Sequence, residues 1–443
     1  MNPIVPKDDN IANISNAVVF YAGEISQWAL YWIFTAGIIL GITRIVFITT
    51  IAMLHQRRAT PSFFPAYKPY VSIVVPAYRE EKVVNRTIST LLASDYEGEF
   101  EIIMVDDGSP DRTFEVVKEQ FKDHPQVRIY QKLNGGKASA LNYGIEKAKG
   151  EIIIALDADT LFPEDAVRLL VRHFEDPKVG AVAGNAKVGN RINLVTRWQA
   201  LEYIISQNLD RRAFDFFNCI TVVPGAIGAW RKTDVLAAGG FSSDTLAEDQ
   251  DLTIAIRKSG QVITYEEKAL CYTEAPDTLT TLAKQRYRWA FGTLQCAWKH
   301  RDAMLSPRQG TLGFIGLPNT WIFQIIFSLI SPITDLVFIG SIASIFITKW
   351  QHPYEYSPAN ALAILLYFVL FMVIDLVTSF IAFQLEKEDT SLIIWLVIQR
   401  FVYRQVMYYV MIKSVLSALK GLAPGWGKLE RKATATNVSK TYV

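Results

Sequence analysis

Long apolar runs flank a charged, β-branched central region, and this division limits the fold more than any single motif does. The first run covers residues 28–54. At ~1.5 Å per residue it is on the order of 40 Å long as a helix, enough to cross a ~30 Å hydrocarbon core with tilt. Arg44 is its one charged residue. At mid-bilayer that charge costs roughly 2.5–3.5 kcal/mol unless it faces another helix, so a packed position is expected. Two further spans are predicted at 319–348, with Pro332 as a kink, and at 359–385. The stretch 391–419 is interrupted by Gln399, Arg400, Arg404 and Gln405, so it either crosses inside a bundle or lies at the interface. A basic tail, 420–443, follows, and its side of the membrane stays open.

Residues 1–27 are polar and mildly acidic, unlike a short cleaved leader, so the first run is expected to persist as an anchor. Arg57, Arg58 and Lys68 follow that run, while Lys7, Asp8, Asp9 and Glu24 precede it. The positive-inside rule then puts the central region on the cytoplasmic face of a cell membrane that the chain crosses several times. A formal charge of +2 over 443 residues, with no long basic run, argues against a nucleic-acid partner. Cys219, Cys271 and Cys296 are odd in number and far apart, and the histidines have no ligand spacing, so neither a disulfide framework nor a zinc site is indicated.

From residue 70 to about 275, short β-branched runs alternate with amphipathic stretches, and strands are predicted at 71–75, 101–105, 127–131 and 151–156. This is the pattern of an α/β domain with a mostly parallel sheet, whose ligands bind beyond the carboxyl ends of the strands. Acidic motifs sit at those ends. The first strand runs into Pro76, Tyr78 and Glu80, and the second into Asp106-Asp107-Gly108, which can set a carboxylate against the imide N–H of a uracil with Tyr78 stacking on the base. Alone, such a turn serves as a helix cap. Asn134-Gly135-Gly136-Lys137 precedes a helix, so its N–H groups and the Lys137 ammonium are expected to face phosphate oxygens.

Asp157-Ala158-Asp159 is sharper, because a buried apolar strand ends in two carboxylates that cannot stay buried unpaired. Hard oxygen ligands suit Mg²⁺ or Mn²⁺, and a diphosphate held by such an ion leaves readily. Glu248-Asp249 opens an amphipathic helix and offers a general base, Asp249, for an incoming sugar hydroxyl. Gln285, Arg288 and Trp289 share a face of the helix predicted at 278–299, within a region, 276–310, expected at the membrane interface. Arg288 can meet the diphosphate and Trp289 can stack on a sugar ring. Gly225, in a small-residue loop, lets an acceptor approach the backbone.

This ordered set, from Asp107 through Asp157/Asp159 and Glu248-Asp249 to Gln285-x-x-Arg288-Trp289, resembles the membrane-embedded processive branch of family 2 glycosyltransferases, to which cellulose, chitin and hyaluronan synthases belong. The resemblance implies a GT-A fold, with an α/β cytosolic domain plus transmembrane α-helices. Ala247 to Leu252, Pro276 to Leu279 and Gly425 to Arg431 are most similar to bacterial poly-N-acetylglucosamine synthases, although those enzymes usually carry Thr where this chain has Ala247. That likeness implies UDP-N-acetylglucosamine or a similar UDP-sugar as donor, an inverting transfer onto a growing polysaccharide acceptor, export of a β-linked polymer through the bilayer, and room for an accessory membrane subunit. Two other readings compete with polymer synthesis. One is single-sugar transfer to a polyprenyl phosphate or glycolipid, and the other is a non-catalytic nucleotide-sugar sensor.

Overall fold

The computed structural model describes residues 32, 35–58, 66–351, 358–421 and 432–436. The polar N-terminal stretch, the start of the first apolar run and most of the basic tail, Gly425 to Arg431 included, lie outside the described residues.

Seven strands form one sheet: β1 (Val71–Ala77), β2 (Phe100–Asp106), β3 (Val127–Gln131), β4 (Ile152–Ala155), β5 (Val179–Val188), β6 (Gly228–Arg231) and β7 (Val262–Thr273). Their spatial order is β3-β2-β1-β4-β6-β5-β7. All neighbouring pairs are parallel except those made by β6, which runs antiparallel to β4 and β5. β1, β2 and β4 are almost entirely buried, which explains why they read as continuous apolar runs. Alternate residues serve opposite cores. Val71, Ile73 and Val75 pack into one cluster, and Val74, with Ile103 and Val105, into the other. Each fully buried aliphatic side chain contributes about 1.5–3 kcal/mol.

Helices cover both faces of the sheet. In chain order they are α1 (Thr35–Gln56), α2 (Val84–Leu92), α3 (Thr113–Phe121), α4 (Lys137–Lys147), α5 (Ala166–Val171), α6 (Leu194–Glu202), α7 (Leu209–Phe216), α8 (Lys232–Ala237), α9 (Glu248–Lys258) and α10 (Leu279–Lys299). The chain then continues through α11 (Leu317–Asn319), α12 (Phe327–Gln351), α13 (Pro358–Glu386) and α14 (Leu396–Leu419). Neighbouring residues group into two units, one of residues 1–46 with 329–375 and one of residues 47–328 with 376–443. The second holds the sheet, α2 to α10 and α14.

Three described helical stretches are long and apolar enough to cross a membrane: Thr35–Gln56, Leu312–Ile347 and Phe368–Glu386. The second begins earlier than the predicted 319, with wide π-helical turns at Leu312–Gly316 and Thr320–Ile326, and Pro332 lies inside the continuous helix α12. The stretch 391–419 forms a 3₁₀ segment, Thr390–Trp395, followed by α14. Its polar residues dock it on α6 and α10. Gln399 donates to the Trp198 carbonyl at 2.9 Å, Tyr403 packs edge-on against Trp198, and Ser417 meets Tyr287 of α10 at 2.8 Å.

The strands β5, β6 and β7 go beyond the four predicted ones. β5 is buried along its whole length, and β6 has only four residues, so neither carries the alternation that marks a half-exposed strand.

Candidate active site

The second strand ends as expected, but its carboxylates are engaged by the protein. Asp106 is fully buried and accepts from the Ser109 N–H at 3.2 Å and from Gln131 Nε2 at 3.0 Å. Asp107, also buried, accepts from the N–H groups of Gly135 (3.0 Å) and Gly136 (2.7 Å) and from Lys132 Nζ (2.7 Å). The Gly135-Gly136 amides, expected to face phosphate oxygens, therefore close the loop onto Asp107. The enclosed Asp106 is held by its own turn and by Gln131 of β3. Charge-assisted bonds of this kind fix the loop rigidly. Pro76, Tyr78 and Glu80 stay partly accessible at the end of β1, with the Arg79 guanidinium 5.5 Å from the Tyr78 ring centre and the Glu80 N–H bound to Thr113 Oγ1 at 2.8 Å.

Lys137, the first residue of α4, is the hub. Its Nζ lies 2.7 Å from Asp157 Oδ1 and 3.1 Å from Glu248 Oε1. Burial works against its charge, yet the carboxylates of Asp157, Glu248 and Asp249 outweigh burial and lift the ammonium above the usual lysine range. Asp249 accepts from the Gly225 N–H and the Gln250 N–H, each at 2.8 Å. A Cβ at Gly225 would stand 2.7 Å from Lys137 Nζ and 3.3 Å from Asp249 Oδ2, so a side chain there would push the Lys137 ammonium out of its present place in the charged cluster. Residues from the turn after β4, from α4, from α9 and from the 224–227 loop thus meet at one place. Burial, reinforced by the Glu248 charge, pushes Asp249 up to about 6 against the pull of Lys137 and the two amides.

Asp159 is buried, with Thr160 Oγ1 at 3.4 Å from its Oδ1. The Asp157-to-Thr160 turn closes through the Thr160 N–H on the Asp157 carbonyl at 3.1 Å, and Thr87 Oγ1 holds the Ala158 carbonyl at 2.7 Å. Burial, with the charges of Asp157 and Asp159 adding to it, pushes the Cys271 thiol up, so both carboxylates act on the same surroundings. Asp157 makes the direct link to Glu248 through Lys137. Among the described residues no group of three His, Cys, Asp or Glu side chains is arranged to hold a metal. These donors therefore fit a divalent ion only as a pair of carboxylates, with its remaining oxygens supplied by a bound diphosphate or water.

On α10, which begins one residue after the predicted start, with Thr278 as its cap, Gln285 is buried, Arg288 is partly exposed and Trp289 is 36% exposed. Arg286 lies directly against the platform, its guanidinium carbon 4.1 Å from the Trp289 ring centre, a cation–π contact. Gln285 Oε1 (2.7 Å) and Tyr403 Oη (3.1 Å) accept from that guanidinium, which also pairs with Glu202. The local signal for Arg286 is its i, i+3 spacing to Trp289. Glu202 and Tyr403 carry no local signal, since they come from α6 and α14. At Gly292 a Cβ would lie 2.7 Å from Ala247 Cβ, so α10 rests directly on the residue before Glu248.

The mostly parallel sheet, its antiparallel β6 and the acidic strand ends define a GT-A-like fold. Residues 72–234 match the family model "Glycosyl transferase family 2", and the chain carries a glycosyltransferase family 2 domain there. It is 34% identical over 223 residues to a poly-beta-1,6-N-acetyl-D-glucosamine synthase of Staphylococcus epidermidis and 32% identical over 223 residues to that of Staphylococcus aureus strain COL, in each case covering 50% of this chain and 54% of the relative. The chain thus spans about half the length of these curated relatives. A mannosyltransferase from Pyrobaculum calidifontis, solved in complex with GDP-Man and Mn²⁺, superposes with a TM-score of 0.62 at 21% identity, over 88% of this chain and 97% of that one. That likeness extends the shared fold beyond the family 2 match.

Proposed function

We propose that the protein is an inverting, membrane-embedded glycosyltransferase that extends a polysaccharide with N-acetylglucosamine, or a related hexose, from a UDP-sugar. The observation that carries this reading is the meeting of Asp157, Glu248 and Asp249 at Lys137, beside a helix presenting Trp289. The names of the curated relatives above support N-acetylglucosamine as the sugar and a polysaccharide as the product.

In this reading Asp249, ionised above about pH 6, takes the proton of an acceptor hydroxyl. The freed oxygen lone pair attacks the anomeric carbon, the bond to the diphosphate breaks from the opposite face, and its electrons leave with UDP. The Gly225 and Gln250 amides hold the Asp249 carboxylate in place. Lys137 and Arg288 offer positive charge to the diphosphate, Tyr78 offers its ring to the base, and Trp289 supports the acceptor sugar. Asp157 and Asp159 would hold Mg²⁺ or Mn²⁺, which when bound stabilises charge on the leaving diphosphate.

The contacts of the C-terminal helix support one reading of the membrane topology. α14 and residues 432–436 both pack on the catalytic unit, so in our reading the chain crosses once before that unit and twice after it. The tail then shares the domain's cytoplasmic side, in keeping with its basic residues.

The test supplies purified protein in lipid nanodiscs with UDP-N-acetylglucosamine and Mn²⁺. The expected result is UDP release with high-mass polymer. Lipid adducts carrying one sugar would instead favour single-step transfer, and UDP binding without release would favour a sensor.

A further inference from the structure

Residues 432–436 cross the unit that holds the sheet, and Lys432, Thr434, Ala435 and Thr436 each anchor to something that supports the site. Ala435 is buried against Leu161 and Tyr272, the two residues that bridge the end of the Asp157–Asp159 turn to β7 through paired N–H···O bonds of 2.9 Å. The fit is close, since a Cβ at Gly189 would lie 3.1 Å from Ala435 Cβ. Arg86 of α2 donates to the Ala435 carbonyl at 2.6 Å, and its neighbour Thr87 holds the Ala158 carbonyl inside the turn. The Thr436 N–H bonds the Gly189 carbonyl at 3.0 Å.

The same segment grips the entry to α10. Glu274 Oε1 accepts from the Lys432 N–H at 2.8 Å and from Thr434 Oγ1 at 3.2 Å, and Lys432 Nζ lies 2.6 Å from Asp277. Asn190 donates to Thr434 Oγ1 at 3.2 Å and exchanges two 2.8 Å bonds with Ala275. Ala433 takes φ +56°, which an L residue holds only where its surroundings fix it. Five residues thus tie the Asp157–Asp159 turn and α2 to the loop that aims Gln285 and Trp289.

We propose that residues 432–436 form a positioning strap that holds the Asp157–Asp159 turn in the arrangement that binds a nucleoside diphosphate with its divalent ion. The proposal rests on the donor reading above. Residues that support ligands from behind typically change metal affinity about 10–100-fold when lost, and the strap acts at that level without touching the donor.

The test uses the full-length protein in nanodiscs, a truncation ending at Arg431, and Arg86→Met, an exposed position whose loss leaves the core intact. Each is titrated calorimetrically with UDP in the presence of Mn²⁺ and melted in parallel. Truncation should weaken UDP binding about tenfold, and Arg86→Met less. Donor KM should rise in step, while kcat stays within about threefold of wild type and the melting midpoint is unchanged. Wild-type affinity and KM in both variants overturn the strap, as does a loss confined to kcat or one matched by a lower melting midpoint. If the truncation does not fold, Arg86→Met decides alone. Absence of UDP binding by the wild-type protein overturns the donor reading together with the strap, which separates the two failures.

Discussion

Asp249→Asn should make the protein more stable as it removes turnover. Burial and the Glu248 charge hold the Asp249 carboxyl at about 6, above the ordinary aspartate value of 3.8. Between those values the unfolded chain has released this proton and the folded chain still holds it. Stability from this group therefore falls as pH rises from about 4 to about 6, and ionised Asp249 costs stability at neutral pH. Asparagine keeps the shape, can still accept the Gly225 amide at the cost of the Gln250 N–H bond, which offsets part of the gain, and leaves Lys137 paired with Asp157 and Glu248. Removing the penalty is worth on the order of 1 kcal/mol, an increase in melting temperature of about 2–4 °C at pH 8. At pH 5, where the native carboxyl is already mostly protonated, the gain should shrink. Turnover should fall about 10²–10⁴-fold through loss of the base, while UDP binding persists. For the wild type, kcat/KM should climb about tenfold per pH unit below 6 and flatten above 7. Melting curves at pH 5 and 8, with UDP-release assays over the same range, check both parts. A variant that melts lower at pH 8, or a wild-type profile flat from pH 5 to 8, would refute the assignment.

Three other perturbations address the neighbouring contacts. Gly225→Ala places a methyl 2.7 Å from Lys137 Nζ, and should lower kcat about a hundredfold while barely moving the melting midpoint. Glu202→Gln removes the charge that steadies Arg286 beneath Trp289. Shorter polymer at unchanged donor KM is expected, read by product sizing. Chelation should stop UDP release, and added Mn²⁺ or Mg²⁺ should restore it in the wild type but not in Asp159→Asn, whose carboxylate is the proposed ion's second protein ligand.

Strand ends were legible because β1, β2 and β4 are buried on both faces and then stop at residues that cannot be buried without partners. That signal is local, and so it survives in the sequence. The partners themselves were less legible. Asp107 and the Gly135-Gly136 amides are 28 and 29 residues apart, and each has a chemically sensible alternative ligand, so phosphate was as plausible for the amides as a protein carboxylate. Arg286 could be found from its spacing to Trp289, but Glu202 and Tyr403 depend on how α6 and α14 pack against α10. The stretch 391–419 was ambiguous for a related reason. Its Gln399 and Tyr403 have partners on the catalytic unit, and composition alone does not distinguish that from pairing inside a bundle.

Lys137 also bears on why the donor should arrive with a cation. With every group ionised, the three carboxylates around this one ammonium leave a net charge of −2. A diphosphate carries further negative charge into a half-enclosed space where charges interact more strongly than in water. Lys137 can turn toward it only by leaving Asp157 or Glu248 less compensated, so the protein's own positive charge cannot serve both partners. In the reading proposed above, Asp157 and Asp159 would hold a divalent ion supplying the missing positive charge, which would leave the Lys137 ammonium available to the leaving group. Donor affinity should therefore fall sharply without the ion, while Lys137→Met should weaken binding even when the ion is saturating.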